Sequence, residues 1–434
     1  MLRFLCGLLA VLTISGNAFA QDGTRLRAAD RAAILEEIAE TVDENFFDEA
    51  RAREIANGLR ATDFSEIETH EAFANALTQQ LHAEDRHFSV QYLGPREVAR
   101  MLEDHERHMA DEGGDPFEAA RRNNFGFEQV SILPGNIGYI KFNQFVPSSV
   151  AGDTARAALG FVANTDAVIF DVRENTGGAP SMVQFLISHF LDPSESIAIN
   201  TFVSRQYDYP HQLNSLTYLP GGTRPDVPVY VLTSGRTGSA GEAFPYHLQA
   251  LERAIIVGET TYGAGNPGDT YLLDAGYAIF VSTGSAQNPI TMTNWESMGV
   301  SPDIEAPAAA ALDTALVAAY DGLLASDAPD DQKTLWTWGR EEIAARLTPL
   351  SIPEDQLADY VGTYGPRRAL VQDGALYYQR EDRDPILLTP VGEDRFLYGD
   401  DGRFRVVFER NRRGVVTALA IESFVQPRSV SQRD

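Results

Sequence analysis

Cysteine is almost absent: the 434 residues hold one, Cys6, near the start of the chain. A lone cysteine excludes an internal disulfide, and once a leader containing Cys6 is removed no thiol chemistry is left either. Lysine is nearly as scarce, with only Lys141 and Lys333, so arginine carries almost all the positive charge. Cations as a class fall short, 35 Lys+Arg against 62 Asp+Glu, for a formal charge of −27. That balance argues against nucleic acid and against an anionic membrane surface as partners. The apolar run from Phe4 to Ile14 is too short to span a bilayer comfortably.

That run reads instead as a secretory leader. Arg3 precedes it, and Gly16 and the triplet Ala18-Phe19-Ala20 follow it, just before Gln21. Cys6 lies too early for a lipid-attachment site beside the cut. The expectation is a periplasmic or secreted protein that starts at Gln21, is held by packing alone, and does not insert in a membrane after leader removal.

What is present supports several folded units. Hydrophobic residues make up 44% of the chain, enough for substantial cores in two or three domains. From Asp30 to about Leu81 the pattern is helical: Ile34, Ile38, Val42 and Phe46 recur every fourth residue behind a candidate Asp30 cap. Phe73, Leu77 and Leu81 do the same behind Thr69. At Glu84-Asp85-Arg86-His87-Phe88-Ser89-Val90 the spacing turns to alternation, which puts His87 at a helix-to-strand junction. Residues 97–110 read as a solvated helix, and its lone His105/His108 pair is read as surface, not as a metal site.

From about Asn123 strands alternate with helices. Strands are expected at 137–142, 167–172, 229–232, 254–257 and 277–282, with helices at 154–162 and 181–191. The fold expected is an α/β core of strand-strand-helix units. The expected domains are a leader at 1–20, a helical domain and lead-in at 21–122, the core at 123–310, and a helical linker at 311–352. Beyond Pro353, short strands and Gly/Asp turns carry many Tyr and Phe, the texture of a small all-β barrel over 353–434.

Chemistry concentrates at Thr233-Ser234-Gly235-Arg236-Thr237-Gly238-Ser239-Ala240-Gly241-Glu242. A buried strand precedes it, and Ala243, Phe244, His247, Leu248 and Leu251 follow at helical spacing. A serine at a tight strand-to-helix turn presents Oγ clear of the sheet, and small neighbours let a substrate backbone approach. First-turn amides, Ala240 among them, suit an oxyanion. The same pattern also describes an ordinary turn with a capping serine.

Further motifs complete a set: Asp171-Val172-Arg173-Glu174-Asn175-Thr176-Gly177-Gly178, then Gly258-Glu259-Thr260-Thr261-Tyr262-Gly263-Ala264-Gly265, then Asn294-Trp295-Glu296-Ser297-Met298-Gly299-Val300-Ser301-Pro302-Asp303. With these in order, the chain over about Asp30 to Ala310 resembles the tail-specific and tricorn-core serine peptidases, most closely the branch that includes interphotoreceptor retinoid-binding protein. The resemblance implies a ClpP/crotonase-like core and an acyl-enzyme mechanism on peptide or protein substrates, with no cofactor and no metal. It implies Ser239 as nucleophile and an oxyanion hole from Ala240 and the Gly177-Gly178 turn, with Gly178 favoured.

Departures from the family pattern are informative. Tail-specific members carry a dyad lysine where this chain has Ala264, so the Ser-Lys dyad is absent. The tricorn-like branch uses a histidine, and His87 stands at the matching place, with Glu296 as the acidic member. Arg86 occupies the position of a serine that bridges histidine to acid in the tricorn core, so the sequence leaves that coupling open. The stretch between His87 and Asn123 is too short for the PDZ module of many tail-specific members. Two other readings use the same scaffold: an esterase, and a non-catalytic carrier.

Overall fold

The computed structural model describes residues 3–4, 25–110, 115–205, 209–399 and 401–434. Most of the leader, including its cut site before Gln21, therefore lies outside the described residues. The chain divides into two compact units, the first made of 1–131, 139–164 and 168–311, the second of 132–138, 165–167 and 312–434.

In the first unit, helices α1 (Ala28–Asn45), α2 (Glu49–Ala61) and α3 (His70–Leu81) bury the residues their periodicity marks. Ile34, Ile38, Val42, Phe46, Phe73, Leu77 and Leu81 all lie in one cluster. Thr69 caps α3 by accepting the Ala72 N–H at 3.2 Å. Asp30 is not the cap of α1: the helix begins at Ala28, and Asp30 sits in its first turn, paired with Arg27 at 2.6 Å. A carboxylate there is favoured by the exposed N–H groups of the helix start whether or not it caps.

The helices expected as a separate domain share their core with strands from elsewhere in the unit. Strand β1 (Ser89–Tyr92) pairs antiparallel with Tyr277–Ser282, and Val90, Tyr271, Tyr277, Ile279 and Val281 complete the helical cluster. His87 is thereby held on the short link from α3 to β1. Helix α4 (Pro95–Ala110) follows. The His105/His108 pair falls in it, and side chains from residue 105 onward lie outside the described ones.

The catalytic-motif region is a six-stranded sheet flanked by helices. In spatial order its strands are Ile304–Glu305, Ile255–Gly258, Val229–Thr233, Ala167–Asp171, Ile137–Phe142 and Phe127–Leu133. The first four of these run parallel. Val229–Thr233 and Ala167–Asp171 are buried throughout, which is why both read as unbroken apolar runs. Helices α5 (Ser148–Phe161), α6 (Pro180–Ser188) and α7 (Ala240–Ala250) contribute Ala151, Met182, Leu186, Phe244 and Leu248 to the core. A small sheet not foreseen in the sequence consists of Gly284–Gln287, Ala198–Ser204 and His211–Asn214. Its strands mix polar with apolar residues in neither an unbroken apolar run nor a strict alternation, so no clear strand pattern marks them.

In the second unit, eight strands from Gly362–Tyr364 to Ser429–Gln432 form an antiparallel meander in chain order. Its two ends approach each other, the Asp434 N–H donating to Thr363 O at 3.0 Å. Tyr360, Tyr364, Phe396 and Phe408 fill its core. Helix Asp330–Leu347 belongs to this unit and ties into the meander through Glu341, which pairs with Arg395 at 3.0 Å and Arg405 at 3.1 Å. The mixed α/β core, N-terminal helices and barrel-like tail thus match the expected fold class at that level. Among the described residues no helix is long and apolar enough to cross a membrane.

Candidate active site

Ser239 ends the turn between strand Val229–Thr233 and α7, immediately before the helix, with φ 54° and ψ −123°. A side-chain-bearing residue in that region costs about 1–3 kcal/mol and needs bracing from its surroundings. The brace is Glu242, three residues on and fully buried. Its Oε2 accepts the Ser239 N–H at 2.8 Å and the Ala264 N–H at 2.9 Å. Its Oε1 accepts from Thr261 Oγ1 and the Gly263 N–H, both at 2.6 Å. One carboxylate thus joins the serine turn to the 261–264 loop. Burial pushes Glu242 up to about 7, against the pull of these four donors.

The two glycine turns meet at the serine. A Cβ on Gly177 would fall 2.8 Å from Ser239 Cβ, and one on Gly178 would fall 2.2 Å from Phe145 O. Both have positive φ, 120° and 137°, so glycine is needed on two counts. Asn175 links the turns: its Oδ1 accepts the Gly177 N–H at 2.9 Å and its carbonyl accepts the Gly238 N–H at 3.0 Å. The Gly177 N–H is therefore occupied. Those of Gly178 and Ala240 have no acceptor among the described residues. In the same motif Asp171 is buried and holds Tyr139 Oη at 2.6 Å and the Arg173 guanidinium, a packing role.

His87 and Glu296 come together across 209 positions of sequence. His87 Nδ1 lies 3.9 Å from Glu296 Oε2, beyond hydrogen-bond reach, and it is buried without a partner. Glu296 is saturated by backbone instead: Oε1 accepts the Arg86 N–H at 2.9 Å, and Oε2 those of Gly265 at 2.5 Å and Asn266 at 3.2 Å. Asp85, 1% exposed, accepts the His87 N–H at 2.8 Å and Asn266 Nδ2 at 2.9 Å. Burial holds His87 below the ordinary histidine value, and Asp85 opposes that. Burial raises Glu296, with the Asp85 charge adding to it and the three N–H groups opposing. The Arg86 side chain turns away, Nη1 donating to Tyr262 O at 2.8 Å.

Ser239, His87, Gly178 and Ala240 all border one cavity of about 540 Å³. Ala264 lines it too, with its N–H on Glu242 and its carbonyl accepting Trp295 Nε1 at 2.8 Å. Neither lysine borders it, and Lys141 is paired with Glu128 at 2.7 Å. Asp85, His87 and Glu296 form the cluster whose ligand atoms come within 4.8 Å of one another, the arrangement that could hold a metal ion. Its carboxylates are already taken by N–H donors, which suits a relay of hydrogen bonds better than a cation. Sequence reasoning missed the roles of Glu242, Asp85, Asn175 and Asn266. Only Glu242 left a signal, the Ser-x-x-Glu spacing of a capping box.

Residues 136–306 match the model of peptidase family S41. This segment is a peptidase family S41 domain. Among relatives of the S41 segment, carboxyl-terminal-processing peptidase 2, chloroplastic, of Arabidopsis thaliana is 30% identical over 189 residues, 40% of this chain and 34% of that protein. A carboxy-terminal-processing protease of Bartonella bacilliformis is 27% identical over 181 residues, 40% and 39%. The chain thus spans little more than a third of the length of these relatives. The solved photosystem II D1 C-terminal processing protease superposes with a TM-score of 0.40 at 15% identity, covering 65% of this chain and 94% of that one.

Proposed function

We propose that the protein is a serine peptidase that cuts peptides or proteins through an acyl-enzyme, on a ClpP/crotonase-like core of the retinoid-binding-protein-like branch without a PDZ module. One observation carries this: Ser239, on its strained turn, is flanked by two unoccupied backbone N–H groups, those of Gly178 and Ala240, at the edge of a cavity that His87 also borders. In this reading Ser239 Oγ attacks the carbonyl carbon, and the developing O⁻ is held by the Gly178 and Ala240 N–H groups. His87 takes the serine proton and returns it to the leaving amine. Its Nδ1 is on the Glu296 side, which leaves Nε2 for the serine. Water then releases the acyl group by the same route.

Glu296 acts here through the backbone of the 86–87 link and through its field at 3.9 Å. The size of the cavity also suits a carrier. Labelling with a serine-directed phosphonate separates the readings: a peptidase or esterase labels at Ser239 and loses the label in Ser239→Ala, whereas a carrier stays unlabelled. A peptide library then separates peptidase from esterase. The leader reading adds export, tested by N-terminal sequencing of material outside the cytoplasm; an intact Met1 there would contradict it.

A further inference from the structure

The mechanism uses one edge of the cavity and leaves its polar groups elsewhere unexplained. Two buried side chains that line it carry atoms with no partner: His247 through Nε2 and Asn200 through Oδ1. They are 1% and 4% exposed. Such orphaned atoms are costly, about 1–3 kcal/mol each, and call for an explanation.

The hydrogen bonds decide which group donates. Asn288 Oδ1 accepts the N–H groups of Ile290 at 2.8 Å and Thr291 at 3.0 Å, so its amide nitrogen is the atom that faces His247. That nitrogen donates to His247 Nδ1 at 2.9 Å. Nδ1 is thus an acceptor, and the neutral ring carries its proton on Nε2. The unpartnered nitrogen is an N–H donor, and the unpartnered oxygen of Asn200 is an acceptor.

The topology brings the two together. Ala286 pairs with Phe202 and Gln287 with Thr201, so the next position, Asn288, runs on toward Asn200. By strand alternation Asn200 and Phe202 share one face of their strand, and both border the cavity together with Ala286, the partner of Phe202. His247 is bonded to Asn288 and stacks edge-on against Trp295 at 5.7 Å. Around the pair the walls are apolar: Val183, Ile199, Phe202, Ala243, Ala286 and Trp295. Among the described residues no carboxylate borders the cavity, and its two arginines, Arg86 and Arg236, are engaged with Tyr262 O and Glu174.

We propose that this cavity is a specificity subsite that reads a primary-amide side chain, glutamine or asparagine, on the residue contributing the acyl group, with His247 Nε2–H donating to the amide oxygen and Asn200 Oδ1 accepting from the amide nitrogen. Ala240, one of the two donors for the acyl carbonyl, opens α7, the helix that carries His247. Ala243 and His247 lie four apart on one face of α7, so a side chain beside the held carbonyl runs along that face. A leucine there leaves both polar atoms unpaired, and a glutamate brings a charge with no free cation to meet it. The assignment rests on the peptidase reading for its substrate, but its test does not depend on turnover.

Full-length Ser239→Ala protein is titrated with peptides identical except for a C-terminal Gln, Leu or Glu, followed by tryptophan fluorescence. The Gln peptide should bind roughly tenfold tighter than either other, a loss-of-partner effect at the low end for a buried pair. Adding His247→Phe or Asn200→Leu should bring the Gln/Leu ratio close to one while Leu binding changes little. Equal or tighter binding of the Leu or Glu peptide overturns the proposal. Should those variants not fold, a library cut by the wild-type protein decides: Gln or Asn enriched before the cut supports it, and Leu enriched there overturns it. Cutting without amide preference overturns the subsite and leaves the peptidase reading standing. Gln-selective binding without any cutting supports the subsite and counts against the peptidase.

Discussion

The backbone N–H of Arg86 donates to Glu296 Oε1 at 2.9 Å, while the ring of the next residue, His87, stops 3.9 Å short of the same carboxylate. The acid therefore holds the backbone that carries the histidine and makes no hydrogen bond to its ring. The serine expected at position 86 in a tricorn-type bridge is not needed for that contact, because any residue but proline supplies the N–H.

The identity of the base is the first test. His87→Ala should lose nearly as much turnover as Ser239→Ala, on the order of 10⁴-fold or more, because nucleophile and base act as one unit. Lys141→Met and Lys333→Met should leave turnover nearly unchanged. Steady-state kinetics on a cleaved peptide read this directly; near-wild-type turnover in His87→Ala would mean another base.

The pH profile follows from the burial of His87. A base works unprotonated, and burial holds this imidazole below the ordinary 6.5, so the neutral form persists into mild acid. The acid limb of kcat/KM should therefore lie below that value. Asp85 raises the His87 pKa, so Asp85→Asn should move the limb further down. A limb that shifts upward in this variant would contradict the assignment.

The Gly178 turn has no room for a side chain, since a Cβ would meet Phe145 O at 2.2 Å. Gly178→Ala should displace the N–H and lower kcat by about 10²–10³-fold, the usual loss for one oxyanion donor. Circular dichroism shows whether the variant is folded. Unchanged kinetics in a folded variant would remove the turn from the mechanism.

Glu242→Gln should slow phosphonate labelling of Ser239 and lower the melting temperature. Each carboxylate oxygen accepts from two donors, so an amide NH₂ in place of either faces two N–H or O–H groups. Leaving buried donors unsatisfied costs about 1–3 kcal/mol each. Thermal melts and labelling rates measured side by side check both effects.

Stability should also fall in acid. His247 is fully buried and held down to about 3, so between that value and 6.5 the unfolded chain binds the proton and the folded one does not. The stability this neutral burial contributes is present above pH 6.5 and is lost as pH falls below it. Melting temperatures from pH 7 to pH 4 should drop, and His247→Phe should flatten the slope.

The sequence by itself determined the local chemistry: a buried strand running into the Ser239 turn, two glycines where φ must be positive, apolar positions every fourth residue in α1, and the lack of a lysine at 264. These are properties of neighbours in the chain, so periodicity and turn chemistry express them. It also named His87, Ser239 and Glu296 as a set, through motif order and not through any computed proximity. Only the tertiary structure decided how they meet. It gave the Gly177 N–H to Asn175, left that of Gly178 without an acceptor among the described residues, put Glu242 under four donors, and seated Glu296 on the backbone of Arg86. It also placed Asn200 and His247 on one cavity and bonded Asn288 to His247, bringing together segments whose mixed polar and apolar residues carry no clear pattern. The bonds of Glu242 with Gly263 and of Glu296 with Gly265 and Arg86 join residues tens to hundreds of positions apart. They depend on where the chain passes and not on which side chain it carries there, so no local pattern in the sequence records them.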